Sequence, residues 1–368
     1  MQASAPRLPP FPVLREILKV YKLGALKKLS QNFLLDMNLT NKIASKAGNL
    51  RDTYVVEVGP GPGGITRSIL NQCPQKLIVV EKDKRFKPAL EMLQEAYFDS
   101  VNREMDIIYE DVLLLNMGKF FPEDAKREWE DGRPPVSIIG NLPFSISTPL
   151  IIKWLKAISE KSSAWSYGRA RMTLTFQKEV AERLVAPENN AQRCRLSVMA
   201  QTWTRPVVNF YIPGEAFVPK PKVDVGVVTF VPLKKPHTQH EFSFFEKVTR
   251  HVFSFRQKYN KRCLATLFPP DCEKEFSLKM LEMAGLPPTI RAPALSVQDI
   301  DRLATAYKYF LEKYPEIGLY NYRASRRLLP RNSFKNLQSR YNIVYRRARN
   351  ILWPRILLPK NVHAFPGS

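Results

Sequence analysis

The sequence predicts an α/β fold in which a mostly parallel sheet with helices on both faces is followed by a smaller C-terminal helical domain. Two observations predict it. From Tyr54 the 368-residue chain alternates short apolar runs with amphipathic stretches, the pattern of parallel strands joined by crossover helices. Beyond Glu241 the β-type runs stop and helical periodicity continues to Tyr314.

The first element is basic. Between Met1 and Ser30, Arg7, Arg15, Lys19, Lys22, Lys27 and Lys28 stand against one acid, Glu16, with apolar residues at Val13, Leu14, Ile17, Leu18 and Tyr21. This suits a mitochondrial targeting segment over residues 1–28 better than a secretory signal, which needs a continuous apolar core. The competing reading is an N-terminal helix packed on the domain, its start blurred by Pro6, Pro9, Pro10 and Pro12.

Next, strands are predicted at Tyr54–Val58, Lys76–Glu81, Asp106–Glu110, Val136–Ile139 and Met172–Gln177. Ligands of such sheets bind at the carboxyl ends of the strands, where Gly59, Glu81, Asp111 and Asn141 fall. Pro206–Pro232 reads as the last strands, with Phe217–Asp224 as a loop facing the site. Pro269-Pro270 and Pro287-Pro288 must interrupt the helices that follow. The predicted units are residues 29–235 for the sheet domain, 236–320 for a helical RNA-binding domain and 321–368 for a basic extension. After Glu316 there is no acid, while eleven Arg and Lys residues accumulate between Arg323 and Lys360.

Composition narrows the function. A net charge of +23 points to a polyanionic partner, RNA or DNA. The longest apolar runs, such as Leu77–Val80, fall far short of the ~20 residues of a membrane-spanning helix. Cys73, Cys194, Cys263 and Cys272 lack metal-ligand spacing and read as reduced thiols, so no metal site is predicted.

The chemistry lies in two motifs. Gly59, Gly61 and Gly64 fit the dinucleotide pattern, which keeps a nicotinamide cofactor in play. Pro60 and Pro62, however, remove donors that would help hold a pyrophosphate. S-adenosyl-L-methionine has no phosphate and needs only close approach of the backbone. Glu81, at the end of the next strand, is placed to accept both hydroxyls of a ribose, with Lys82 beside it as a candidate flank for the adenine. Asp111 is placed to accept from the adenine amino group, its competing role being a helix N-cap.

The second motif, Asn141-Leu142-Pro143-Phe144, tips the balance toward methyl transfer. An exocyclic amine is a poor nucleophile because its lone pair is delocalised into the ring. Hydrogen bonds from the amine to the Asn141 carboxamide oxygen and the Leu142 carbonyl would favour a pyramidal nitrogen, and Phe144 would stack on the base. Phe217 is the candidate second face of that stack, or else a core residue. A target base in a duplex must be flipped to reach such a pocket.

Gln31-Asn32-Phe33-Leu34-Leu35-Asp36, Glu57–Gly63, Val80-Glu81-Lys82-Asp83, Asp111, Asn141–Phe144 and Phe217–Asp224 together resemble the ordered motifs of the rRNA adenine N6-dimethyltransferase family. The resemblance spans about residues 25–320. Ser30–Asp36 and Thr173–Leu184 carry a closer likeness to its mitochondrial members.

It implies a Rossmann-like S-adenosylmethionine-dependent methyltransferase sheet, a location in the mitochondrial matrix, and dimethylation of two adjacent adenosines in the 3′ terminal hairpin loop of small-subunit rRNA. The substrate would be that rRNA or the immature small ribosomal subunit. The resemblance also implies that Asn32 and Leu34 border the methionine end of the donor. One departure is Gly226, where bacterial relatives commonly carry serine.

For RNA contact, His251–Arg262 interleaves aromatics with Arg256, Lys258, Lys261 and Arg262. The competing function is a transcription or assembly factor that engages mitochondrial DNA and RNA polymerase without need of catalysis.

Overall fold

The computed structural model describes residues 6–10 and 32–322. Its strands are β1 (Phe33–Leu34), β2 (Tyr54–Val58), β3 (Lys76–Val80), β4 (Glu104–Ile108), β5 (Val136–Gly140), β6 (Arg171–Gln177), β7 (Thr204–Ile212), β8 (Phe217–Val218) and β9 (Val225–Pro232). Between them lie α1 (Met37–Lys46), α2 (Gly64–Leu70), α3 (Lys87–Val101), α4 (Phe144–Ser159), α5 (Lys178–Val185) and α6 (Arg195–Trp203). After β9 come α7 (Phe242–Val252), α8 (Asn260–Leu264), α9 (Glu273–Met283) and α10 (Val297–Lys313).

Seven strands form one sheet in the order β4-β3-β2-β5-β6-β9-β7, parallel from β4 to β6, with β9 antiparallel to both β6 and β7. The chain runs outward from β2 to β4, then returns to place β5 on the other side of β2. That reversal opens a crevice at the carboxyl ends of β2 and β5. Val58 pairs with both Val80 and Gly140, so Gly59, Glu81 and Asn141 all leave the sheet at one level.

The β-branched runs form strands because both faces are covered. Along β2 and β3, Val56 and Ile78 enter a first apolar core while Val55 and Leu77 enter a second. The first core continues without a break into the C-terminal helices, joining Ile138, Trp154 and Phe176 to Phe245, Phe268, Tyr307 and Phe310. Trp203 packs on Phe242 and Phe245 with ring centroids 4.8 and 5.5 Å apart. Local signals start the helices: Asp36 caps α1 through Asn38 N at 2.8 Å, and Ser296 with Asp299 forms the capping box of α10.

The fold class agrees with the sequence prediction, and both proline pairs fall between helices. β4 differs by starting at Glu104, two residues before the predicted Asp106. As an edge strand it tolerates acids, and Lys76 Nζ bridges Glu104 and Asp106 at 2.8 Å each. Of the predicted targeting segment, residues 1–5 and 11–28 lie outside the described residues, as do residues 323–368 of the basic extension. Residues 6–10 pack on the sheet domain: Pro6 is buried and Leu8 lies against the second core. Among the described residues no helix is long and apolar enough to cross a membrane, and no group of side chains could hold a metal ion. Cys73, Cys263 and Cys272 are buried free thiols, and Cys194 is half-buried.

The departure at Gly226 has a packing cause. A Cβ there would stand 2.5 Å from Ala181 Cβ and 3.3 Å from Tyr211 Cε1. Gly226→Ser is therefore expected to destabilise the fold by ~1–3 kcal/mol through overpacking, and adding Ala181→Gly should recover much of the loss. Thermal melts of the single and double variants test this; a single variant melting like the unchanged protein would rule out the steric account.

Candidate active site

The glycine loop after β2 turns through three left-handed residues, Gly59, Gly61 and Gly63, at φ +70°, +54° and +86°. Space is also short. A Cβ on Gly61 would meet the Phe33 ring at 2.8 Å, and one on Gly59 would stand 3.3 Å from the Asn141 carbonyl oxygen. The two sequence motifs, 82 positions apart between Gly59 and Asn141, are thus in contact.

The loop's donors are committed internally. Gly59 N donates to Val80 O at 3.0 Å, Gly63 N to Pro60 O at 3.0 Å and Gly61 N to Glu81 Oε2 at 3.1 Å. Pro60 and Pro62 have no N–H. From residue 59 to 63 nothing remains to cradle a pyrophosphate, so the loop fits a nucleoside without phosphate better than a dinucleotide.

Glu81 is 5% exposed, and its Oε1 accepts from Asp83 N at 2.8 Å. Burial pushes its pKa up to about 7. Glu57, 1% exposed on β2, is pushed by burial, with Glu81 adding its charge, to about 8. The crevice floor therefore holds two acids near neutrality.

Asp111 forms its edge. The Lys82 ammonium, 2.8 Å from Oδ2, holds the Asp111 carboxyl below the usual carboxylate range, while Oδ1 accepts from Leu113 N at 2.9 Å. The capping role weighed for Asp111 is therefore present, closing a turn where a helix had been considered. Lys153 of α4 donates to Leu113 O at 2.6 Å and Leu115 O at 3.2 Å, tying this turn to the helix that begins at Phe144.

The Asn141 carboxamide is held at both ends. Nδ2 donates to Asn32 O at 2.8 Å, and Oδ1 accepts from Thr175 Oγ1 at 2.7 Å. A carbonyl can only accept, so the amide nitrogen must face Asn32 and its oxygen must face Thr175. The oxygen keeps a second lone pair. Leu142 is buried in the first core and anchors the loop, and Phe144 is half-buried at the start of α4.

Asn32 meets the Asn141 carboxamide through its carbonyl, and Leu34 is a buried residue of β1 paired with Phe217. Phe217 departs from the stacking expectation. At 2% exposure it sits in the second core among Phe33, Leu34 and Ile212, so its ring offers no open face and the core reading accounts for it. Thr175, Lys153 and Glu57 were not singled out by sequence reasoning. Thr175 gave no sequence signal, because its register one position past the partner of Gly140 is set only by the fold.

Comparison with known proteins follows this geometry. The chain matches the family described as ribosomal RNA adenine dimethylase over residues 24–286. It is 52% identical over 333 residues to the Homo sapiens protein named dimethyladenosine transferase 1, mitochondrial, covering 90% of this chain and 94% of that one. It is also 52% identical over 317 residues to mitochondrial dimethyladenosine transferase 1 of Bos taurus, covering 86% and 92% respectively. The crystal structure of a dimethyladenosine transferase from Plasmodium falciparum superposes with a TM-score of 0.58 at 21% identity, over 78% of this chain and 98% of that one.

The buried acids make stability depend on pH. Glu57 holds its proton in the fold up to about pH 8 but loses it at 4.5 in a solvated state, so its stabilising contribution is full below pH 4.5 and is lost as pH rises through about 8. Thermal melts are expected to fall between those limits and Glu57→Gln to flatten the decline. Identical slopes for the two proteins would refute this assignment.

Proposed function

The chain belongs to the ribosomal RNA adenine dimethylase family, and from that premise we propose that this crevice carries out N6,N6-dimethylation of two adjacent adenosines in the 3′ terminal hairpin loop of mitochondrial small-subunit rRNA. The protein is an S-adenosylmethionine-dependent rRNA adenine dimethyltransferase of mitochondria. The observation that carries the residue assignment is the Asn141 carboxamide, oriented by Asn32 and Thr175 against the glycine loop.

S-adenosylmethionine, when bound, supplies the methyl group as a sulfonium. Gly59 and Gly61 let the backbone approach it, Glu81 accepts from its ribose, and Asp111 with Lys82 borders its adenine. Asn32 and Leu34 border the methionine end. On the acceptor side, the Asn141 oxygen and the Leu142 carbonyl accept from the target amine, which turns its lone pair toward the methyl group. Phe144 stacks on the base; Phe217 supports the wall from within the core. No strong base is required, because the amine proton becomes acidic as the nitrogen is alkylated and can pass to water.

We assign residues 29–235 to this chemistry and 236–320 to RNA contact; residues 253–259 form a turn where one helix over 251–262 was expected, and exposed Arg256 and Lys258 on that turn, with exposed Lys261 and Arg262 on α8, suit phosphates. The substrate is the rRNA itself or the immature small subunit. Binding of mitochondrial DNA and RNA polymerase is a separate proposal that rests on the charge of +23 alone.

Labelled methyl transfer to the rRNA hairpin tests the central reading. Asn141→Ala should lower turnover by roughly 100-fold or more, as for loss of an oriented polar group at a reacting centre, with donor affinity nearly unchanged. Turnover close to that of the unaltered enzyme would exclude Asn141 from the role. Donor affinity itself should weaken as pH falls through about 7, where Glu81 becomes protonated and can no longer accept from both hydroxyls. Calorimetric titrations of the protein and of Glu81→Gln decide: an affinity that stays level across that range removes Glu81 from the donor site.

A further inference from the structure

We propose that residues 6–10 remain in the working enzyme as part of its donor site, with Arg67 as the positioning residue that couples them to the glycine loop. The inference rests on the donor-binding reading of that loop. A targeting segment ending near residue 28 is normally discarded on import. These five residues are built into the fold instead.

Pro6 is buried and Leu8 packs on the second core, the one that holds Phe33, Ile65 and Leu93. The backbone of Arg7 is fastened to α3: Arg7 N donates to Ser100 Oγ at 3.1 Å, and the Ser100 hydroxyl is itself held by donating to Ala96 O at 2.6 Å. Pro10 O then accepts from Arg67 at 3.5 Å. Arg67 is 5% exposed, and its other guanidinium nitrogen donates to Pro62 O at 3.3 Å and Gly63 O at 3.0 Å.

One planar cation thus spans the N-terminal segment and the last turn of the glycine loop. Its fork has fixed geometry, so moving one set of acceptors moves the other. A Cβ on Gly63 would lie 3.0 Å from Arg67 and 2.7 Å from Leu93, which leaves the loop little room to drift from the guanidinium. Removing residues 6–10 would uncover Leu8's site on the core and take an acceptor from a buried charge. The loop whose backbone must approach the donor would lose its brace, while Asp111 and Asn141 kept their own side-chain partners.

The first test is the N-terminus of the chain recovered from mitochondria of cells expressing it, read by intact mass and terminal sequencing. A start upstream of residue 6 is expected; a start beyond residue 10 would overturn the proposal. The second is donor affinity of the full chain by calorimetry. Deletion of residues 2–10 and Arg67→Met should each weaken it by roughly 5- to 10-fold, the loss of a charge-assisted hydrogen bond, and the combination should add little, as for coupled groups. KM for RNA and kcat at saturating donor should hold.

Should the deletion fail to fold, Ser100→Ala and Leu8→Asp loosen the same segment inside the intact chain and should weaken donor binding in the same sense. Unchanged affinity in these variants, with binding still abolished by Glu81→Ala, rules out the brace. Unchanged affinity in Glu81→Ala would instead rule out the donor-site reading beneath it.

Discussion

The site depends on one close approach, the 3.3 Å between the place a Gly59 Cβ would occupy and the carbonyl oxygen of Asn141. Two strands adjacent in the sheet end at one level, and the chain must leave both without filling the gap between them. A side chain at residue 59 would push the Asn141 loop away, and with it the carboxamide held by Asn32 and Thr175. Glycine there is a requirement of proximity as well as of the positive φ. The same constraint brings the glycine loop and the Asn141 loop into contact.

The electrostatics follow from burial. Glu81 is recessed beneath the glycine loop, where it holds Gly61 N, and a recessed carboxylate loses hydration. Glu57 lies deeper still. An acid kept near neutrality in the empty crevice can ionise when hydroxyl donors arrive. Recognition of a ribose and ionisation of Glu81 are then one coupled event. Asp111 sits in the opposite regime, ionised at the rim by Lys82 and open to water. Its contribution to binding should be the smaller of the two, because an exposed acceptor already has solvent partners.

Much of this was legible in the chain. Apolar β-branched runs located five parallel strands to within a residue or two, since strands buried on both faces have no other composition available. The residues after the strands then located Gly59, Glu81 and Asn141 directly past β2, β3 and β5, and Asp111 three positions past β4. Three-dimensional packing accounts for what was not legible. Phe217 is in the core because β8 pairs with β1, and no local pattern reveals a two-residue strand whose partner lies 183 positions away, from Leu34 to Phe217. Thr175 looked like any strand threonine until its neighbour's loop was known. Residues 6–10 carry the composition of a targeting segment, and composition cannot report that Leu8 has a core to enter.

The choice between a nicotinamide and a sulfonium donor shows how far a glycine motif can be pressed. Glycine spacing alone fits both, because both need a backbone that comes close. What separates them is where the N–H groups point. In this loop two prolines remove donors and three glycines turn theirs back to Val80, Glu81 and Pro60. An anion placed within residues 59–63 would meet spent donors and the side chain of Glu81 nearby. Pro60 and Pro62, which look like interruptions of a familiar motif, take two backbone donors out of the loop.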